Sequence, residues 1–434
     1  MSHPEADVPH ALPPARALIY ANHAGTSWPK PPGVAEAMLD ALEASPVDTG
    51  DIYADAHSTI ATFFGLPSPS RLVLTTSCTG ALQVAINDLK FAAGDIVITS
   101  GFEHHALSRA VSRLAWDRGI EHVVCPPDEI SDEGTGGGPL DLDFLEKALE
   151  AGEGKVRLVA ITGASNVTGE VMPIERVVEL AHAKGALVLL DAAQVAGLIP
   201  LHVAELGVDI FVLAGHKAAL GPLGIGAFWA APHVTFVCPA ATCEMASKVG
   251  SGGIGPSTFP SFCDVGSVNL PAAAGLAASL RWLESQGHAA TGGHACALAA
   301  RLRFALLSRP GVTLLGSGRG PHTATVGFLV EGLPLREAER FFLSRGIVVR
   351  AGSHCAPMAL DTLGQPYGTI RASFGATNTG EDVDAIVAAV DAVARACQRA
   401  ADARSEQKEQ VEAAATPWPA HRVCGGAAEQ CVIQ

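Results

Sequence analysis

Lys217 stands in the run Ala214-Gly215-His216-Lys217-Ala218-Ala219-Leu220-Gly221, directly after the apolar stretch Ile210-Phe211-Val212-Leu213. An unbroken apolar stretch of this length reads as a buried strand, and the glycines beyond it turn the chain away. A lysine is thereby delivered at a strand end, where burial disfavours the charged form of an amine. A neutral amine is the nucleophile that condenses with a carbonyl. Upstream, Leu187-Val188-Leu189-Leu190 ends in Asp191-Ala192-Ala193-Gln194. An acid at the end of a second buried strand is the partner expected for a pyridinium nitrogen. Together the two runs point to pyridoxal 5′-phosphate (PLP).

The elements that must hold these residues are legible along the chain. Short apolar runs at 71–75, 95–99, 122–125, 158–162, 186–190 and 210–213 read as strands, with helical stretches such as 81–91 and 174–184 between them. Fully apolar strands alternating with helices imply a mostly parallel sheet covered on both faces. Ligands of such sheets bind beyond the carboxyl ends of the strands. Thr79, His104, Asn166, Asp191 and Lys217 all fall at or just after those ends. A long helix is expected at 271–284. Strands follow at 312–315, 324–330, 346–350 and 369–374, which read as a smaller α/β domain returning Cys355 and Arg371 toward the first. The expected division is a leader at 1–17, a large domain at 18–270 whose first residues pack with the small domain, a small domain at 271–400, and a flexible tail at 401–434. The stretch 128–139, with its glycine cluster, reads as a surface loop.

Composition narrows the classes. The chain has 434 residues, 48% hydrophobic and 17% charged, which suits a globular protein with a large core. A formal net charge of −15 without a basic stripe argues against nucleic acid. No apolar run approaches the ~20 residues of a membrane span, and residues 1–16 lack an apolar signal core, so cytoplasmic residence is expected. The ten cysteines form no compact framework. The segment 221–226 does not fit G-x-G-x-x-G and follows a lysine, which excludes a dinucleotide loop. The C-terminal Cys431-Val432-Ile433-Gln434 fits a prenylation pattern but has no polybasic stretch beside it. Cys424 and Cys431 have no His/Cys quartet around them that would hold zinc, and no metal is expected.

Several blocks together resemble the cysteine desulfurase and selenocysteine lyase family, within the class V aminotransferases of PLP fold type I. They are Thr75-Thr76-Ser77-Cys78-Thr79-Gly80-Ala81, Glu103-His104-His105, Ser165-Asn166-Val167-Thr168-Gly169, Asp191-Ala192-Ala193-Gln194, Gly215-His216-Lys217, Gly266-Ser267-Val268-Asn269, Arg350-Ala351-Gly352-Ser353-His354-Cys355-Ala356-Pro357 and Ile370-Arg371-Ala372-Ser373. The resemblance runs from Tyr20 to about residue 400. It implies a large domain with a mostly parallel seven-stranded sheet plus a smaller C-terminal α/β domain, in a homodimer with shared active sites.

The same resemblance implies roles. Cys78 and Thr79 contact the cofactor phosphate at a helix N-terminus, Cys78 through its backbone, although Ser77-Cys78-Thr79-Gly80 alone reads as an ordinary helix cap. His104 stacks on the ring and handles protons. Asn166 and Gln194 bond the phenolic oxygen, Asp191 holds the ring nitrogen protonated, His216 meets the phosphate, and Lys217 carries the cofactor covalently. Ser267 reaches into the partner subunit's phosphate site. Arg371 clamps the substrate carboxylate, with Asn22 and Arg350 at the substrate's edge. Cys355 aligns with the cysteine that becomes a persulfide, and its neighbours Arg350 and His354 are expected to favour a thiolate.

Three departures stand out. The family's Asp-Asn-Ala-Ala-Thr run reads Asn22-His23-Ala24-Gly25-Thr26, next to the substrate. Ala214 replaces a Ser or Thr that donates to the phosphate. Asp264-Val265-Gly266-Ser267 replaces Glu-Ala-Gly-Thr. The expected function is PLP-dependent removal of sulfur from L-cysteine, giving L-alanine and a cysteine persulfide that passes to a sulfur-acceptor protein. Selenocysteine lyase, C–S lyase and class V aminotransferase on another amino acid are the alternatives, with a non-enzymatic scaffold as the remaining rival.

Overall fold

Side chains that leave water on both faces of a strand must be apolar throughout, and the central strands obey this. The computed structural model describes residues 18–128, 137–237, 259–260, 263 and 267–414. After the short β1 (Ile19–Tyr20) come β2 (Leu72–Thr75), β3 (Ile96–Ser100), β4 (Glu121–Cys125), β5 (Val156–Thr162), β6 (Leu187–Asp191), β7 (Ile210–Ala214) and β8 (Gly226–Ala230). Strands β2 to β8 form a seven-stranded sheet in the order β2-β8-β7-β6-β5-β3-β4. Only β8 runs antiparallel to its neighbours, β2 and β7. Every residue of β7 and β8 is buried. The run Gly226-Ala227-Phe228-Trp229-Ala230 is a strand because it fills the gap between β2 and β7. Gly226 is obligatory there, since a Cβ would lie 2.5 Å from the Cys78 amide nitrogen.

A second sheet is antiparallel. It contains β9 (Val312–Leu314), β10 (Thr325–Val330), β12 (Arg350–Gly352) and β13 (Thr369–Ser373), in the order β12-β13-β10-β9. Between β10 and β12, β11 (Ile347–Val348) pairs in parallel with β1. The first described residues are therefore tied to the segment between β10 and β12, and Ala21 is buried in the second core.

Two features differ from the sequence-based division. The helix Leu270–Gln286 buries Ala272, Leu276, Leu280 and Leu283 in the first core, not the second. The second core begins one helix later, at Ala295 and Leu298 of the helix His288–Leu307. The tail expected from residue 401 continues instead as helix to Ala414, in one element, Gly380–Ala414. Its residues 401–410 are exposed, so local helix-forming side chains rather than packing extend it. The leader 1–17, most of the glycine-rich loop, Asp264 to Gly266, and Cys424 and Cys431 lie outside the described residues. No helix among the described residues is long and apolar enough to cross a membrane.

Candidate active site

The parallel strands converge on one edge. Strand β7 ends at Ala214 and releases Gly215-His216-Lys217; β6 ends on Asp191 itself; β5 leads to Asn166 and β3 to His104. β2 leads into the helix Cys78–Asn87, whose cap is Ser77: its Oγ accepts from the Gly80 amide at 3.1 Å. This cap leaves the Cys78 and Thr79 amides, among the first of the helix, without an intrahelical partner. The helix start is thus both a Ser cap and an anion-binding end.

Asp191 is buried, and burial pushes its carboxyl up, opposed by the Lys217 cation. Its Oδ1 accepts from the Ala193 amide at 3.0 Å and from the Cys78 thiol at 3.6 Å. Burial and the nearby Asp191 hold Cys78 well above the usual thiol range, so it stays a donor. Lys217 is half-buried, more open than its strand implied, and its Nζ makes no hydrogen bond or ion pair among the described residues.

His104 caps the helix His105–Arg118, its Nδ1 accepting from the Ala106 amide at 3.1 Å. Burial, then Lys217 and His105, pull its pKa down to about 3. It is a neutral imidazole, and with Nδ1 accepting, its proton sits on Nε2. Asn166 donates to the His354 carbonyl at 2.8 Å, Gln194 to the Ala24 carbonyl at 3.1 Å. The His216 carbonyl accepts from the Ser27 amide at 2.9 Å and the Ser27 hydroxyl at 3.0 Å, which ties the N-terminal segment to the lysine loop. Ser267 is exposed.

The second sheet brings the remaining groups over this edge. Arg371, on β13, is buried, and burial pulls it down to about 10. One Nη donates to the Asn166 carbonyl at 2.9 Å and the other to Asn22 Oδ1 at 3.0 Å, while Nε is buried without a partner. No carboxylate neutralises this guanidinium among the described residues. Arg350 faces it from β12 but is exposed. The Cys355 carbonyl accepts from the His105 amide at 2.9 Å, docking the cysteine loop onto the start of a large-domain helix. Two consecutive left-handed residues, His354 (φ 50) and Cys355 (φ 57), make the sharp turn.

One expectation is corrected here. His354 does not supply positive charge to Cys355. It is buried, its Nε2 engages the Thr369 hydroxyl at 2.8 Å and carbonyl at 3.0 Å, and burial, with Arg371, pulls it down to about 3. Its role is to fix the loop.

Two residues without an assigned role also lie here. His23, beside the Asn22 departure, meets the Tyr20 ring edge-on at 5.1 Å and lines a cavity with Lys217, Gln194 and Ser373. Glu103, preceding His104, is fully buried; its Oε1 accepts from the Ser100 hydroxyl at 2.5 Å and the Thr162 amide at 3.0 Å, joining the ends of β3 and β5. Adjacency to recognised motifs was the only sequence signal for either.

Burial pushes the Glu103 carboxyl from its ordinary 4.5 up to about 8. Between these values the unfolded chain releases a proton that the folded chain keeps, so folding stability falls as pH rises through that window. Glu103→Gln should lack this loss. Unfolding midpoints of both proteins across the window measure it; parallel pH profiles would show that Glu103 does not titrate as stated.

Residues 29–386 match the aminotransferase class-V family. The chain belongs to that family. A probable cysteine desulfurase of Mycolicibacterium paratuberculosis is 33% identical over 357 residues, covering 79% of this class-V chain and 49% of the relative. One of Pseudomonas aeruginosa is 33% identical over 345 residues, covering 77% of the chain and 81% of the relative. The apo cysteine desulfurase of Thermococcus onnurineus superposes with a TM-score of 0.78 at 27% identity, over 90% of this chain and 99% of that one. The chain spans about half the length of the first relative, and most of the second.

This class-V protein is a PLP-dependent enzyme, and the residues present fit the cofactor. Among the described residues Asn166 Oδ1 and His216 Nδ1 are buried without partners and the Lys217 amine makes no hydrogen bond or ion pair, and the helix that starts at Cys78 follows β2 at the same edge. These are polar groups that a protein buries at a cost unless a ligand meets them.

Proposed function

We propose that this chain is a cysteine desulfurase that converts L-cysteine to L-alanine and carries the sulfur on Cys355. The observation that carries the reading is the position of Cys355: a thiol from the small-domain loop lies within 4.8 Å of one ring nitrogen of His104 and one of His105, beside the strand edge bearing Lys217 and Asp191. A transaminase needs no thiol there.

PLP, when bound, withdraws electrons from the substrate's α-carbon. Lys217 would hold it covalently, Asp191 would pair with its ring nitrogen, and the Cys78–Thr79 amides and His216 would meet its phosphate. Asn166 and Gln194 would meet its phenolic oxygen, and the neutral His104 ring would cover its face. Arg371, buried without an acidic partner, takes the substrate carboxylate, and Asn22 orients its guanidinium. Arg350 stands at the rim. Lys217 Nζ removes the α proton and returns it. The Cys355 sulfur attacks the substrate sulfur, the S–C bond breaks with its electron pair staying on carbon, and that carbon is protonated to the methyl of alanine. Cys355 is left as Cys–S–SH, ready for a sulfur-acceptor protein.

Product analysis tests the reading. Incubation with L-cysteine should give alanine and persulfide in equal amounts. Pyruvate would replace the reading with a C–S lyase, a keto acid with an aminotransferase, and alanine from selenocysteine alone with a selenocysteine lyase. The exposed Ser267 is assigned to the phosphate site of a second copy, in a homodimer. Sedimentation should find a dimer at micromolar concentration; a monomer with full cofactor occupancy would exclude the shared site. Cys78, Cys125, Cys296, Cys355 and Cys397 carry no disulfide, which suits the reducing cytoplasm.

A further inference from the structure

The peptide bond that joins His216 to Lys217 is gripped by the N-terminal segment. Its carbonyl oxygen accepts from the Ser27 amide at 2.9 Å, the Ser27 hydroxyl at 3.0 Å, the Thr26 hydroxyl at 3.2 Å and the Lys30 ammonium at 3.3 Å. A carbonyl oxygen has two lone pairs, so the four donors outnumber its acceptor sites. Lys30 Nζ also donates to Ser27 Oγ at 2.7 Å. We propose that Lys30 is a positioning residue for Lys217: its ammonium, with Ser27, holds the His216 carbonyl and so aims the Lys217 amine at the carbonyl carbon of the cofactor.

A peptide unit is planar, so fixing its oxygen fixes the plane and the direction in which the Lys217 Cα leaves it. The other side is held as well. The Lys217 carbonyl accepts from the Leu220 amide at 2.9 Å, and the Gly215 carbonyl from the Gly221 amide at 2.8 Å. Only the lysine side chain stays movable. Attack on a carbonyl carbon depends on the direction of approach, and a small misplacement is costly in rate. Lys30 suits the task. It is half-buried, and no acid pairs with it among the described residues, so its charge is directed to the Ser27 and His216 oxygens. Hydrogen bonds from a charged donor are stronger than neutral ones. Burial pulls Lys30 from its ordinary 10.5 down to about 8, which leaves it mostly protonated at neutral pH. The same segment meets Arg371 through Asn22 Oδ1. One strap therefore orients both the arginine assigned to the substrate carboxylate and the lysine assigned to the cofactor. Lys30 and His216 lie 186 residues apart, so no local motif marks the pair.

The inference rests on Lys217 as the point of attachment, and not on which amino acid is the substrate. The test therefore follows attachment itself. PLP is added to full-length, cofactor-free wild type, Lys30→Met, Lys30→Arg and Ser27→Ala. Total bound PLP is measured at equilibrium, and the covalent share is trapped with borohydride over time and mapped by peptide mass spectrometry. Wild type should carry the label on Lys217. Lys30→Met should bind a similar total of PLP but form the covalent link about tenfold more slowly, the loss of one charged hydrogen bond. Lys30→Arg should restore most of that rate, because a cationic donor returns. Ser27→Ala should slow the link in the same direction by a smaller factor, and it carries the test if Lys30→Met does not fold. Label on Lys217 in wild type with the link formed at the wild-type rate in Lys30→Met, or in Ser27→Ala should Lys30→Met not fold, overturns this inference alone. Weaker total binding with an unchanged rate of linking also overturns it, placing the Lys30 charge with the phosphate instead. Label on another lysine in wild type removes the Lys217 assignment and this inference with it.

Discussion

Lys217→Ala should lose turnover by about 10⁴-fold, because one substitution removes both the covalent hold on the cofactor and the base that moves the α proton. The fold should survive. Lys217 is half-buried and makes no hydrogen bond or ion pair among the described residues, so its loss opens no buried network. PLP would be retained only through the groups left in place: Asp191, Asn166, His216 and the helix-end amides. The wild-type protein should be yellow, and borohydride should fix the label onto the peptide containing Lys217. Label mapped to another lysine would remove this residue from the centre of the site.

Cys355→Ala should cut alanine formation from cysteine by at least about 100-fold, since no sulfur remains to accept the transferred atom. Cysteine should still bind and perturb the cofactor spectrum, because Lys217, Asp191 and Arg371 are untouched. The loop should keep its place, because its anchors are the His105 amide on the residue 355 carbonyl and the buried His354 on Thr369, neither of which uses the thiol. With selenocysteine the loss should be smaller, because selenium leaves carbon more readily. Alanine assays on both substrates, with mass spectrometry for a persulfide on Cys355, measure the effect. A mutant that desulfurates cysteine at the wild-type rate would shift the assignment to a C–S lyase or transaminase.

The sequence by itself determined the layered α/β architecture, because strands buried on both faces must be apolar along their whole length. It also determined which edge carries the chemistry, because a parallel sheet delivers the residues after its strands to one side. Lys217, Asp191, Asn166 and His104 were legible on that ground. Only the tertiary structure decided the rest. The alanine-rich helix Leu270–Gln286 has no local mark saying which core it joins; its contacts with the first two helices of the large domain settle that. His354 looked like a charged neighbour of Cys355, yet burial and the Arg371 cation leave it neutral. Arg371, Asn22 and Asn166 join through hydrogen bonds spanning 205 and 349 residues, and Cys355 meets His104 and His105 only when the second sheet folds over the first. Local sequence sets what each strand and turn can be. Which distant side chains share a charge or a proton depends on packing, and so on the folded chain alone.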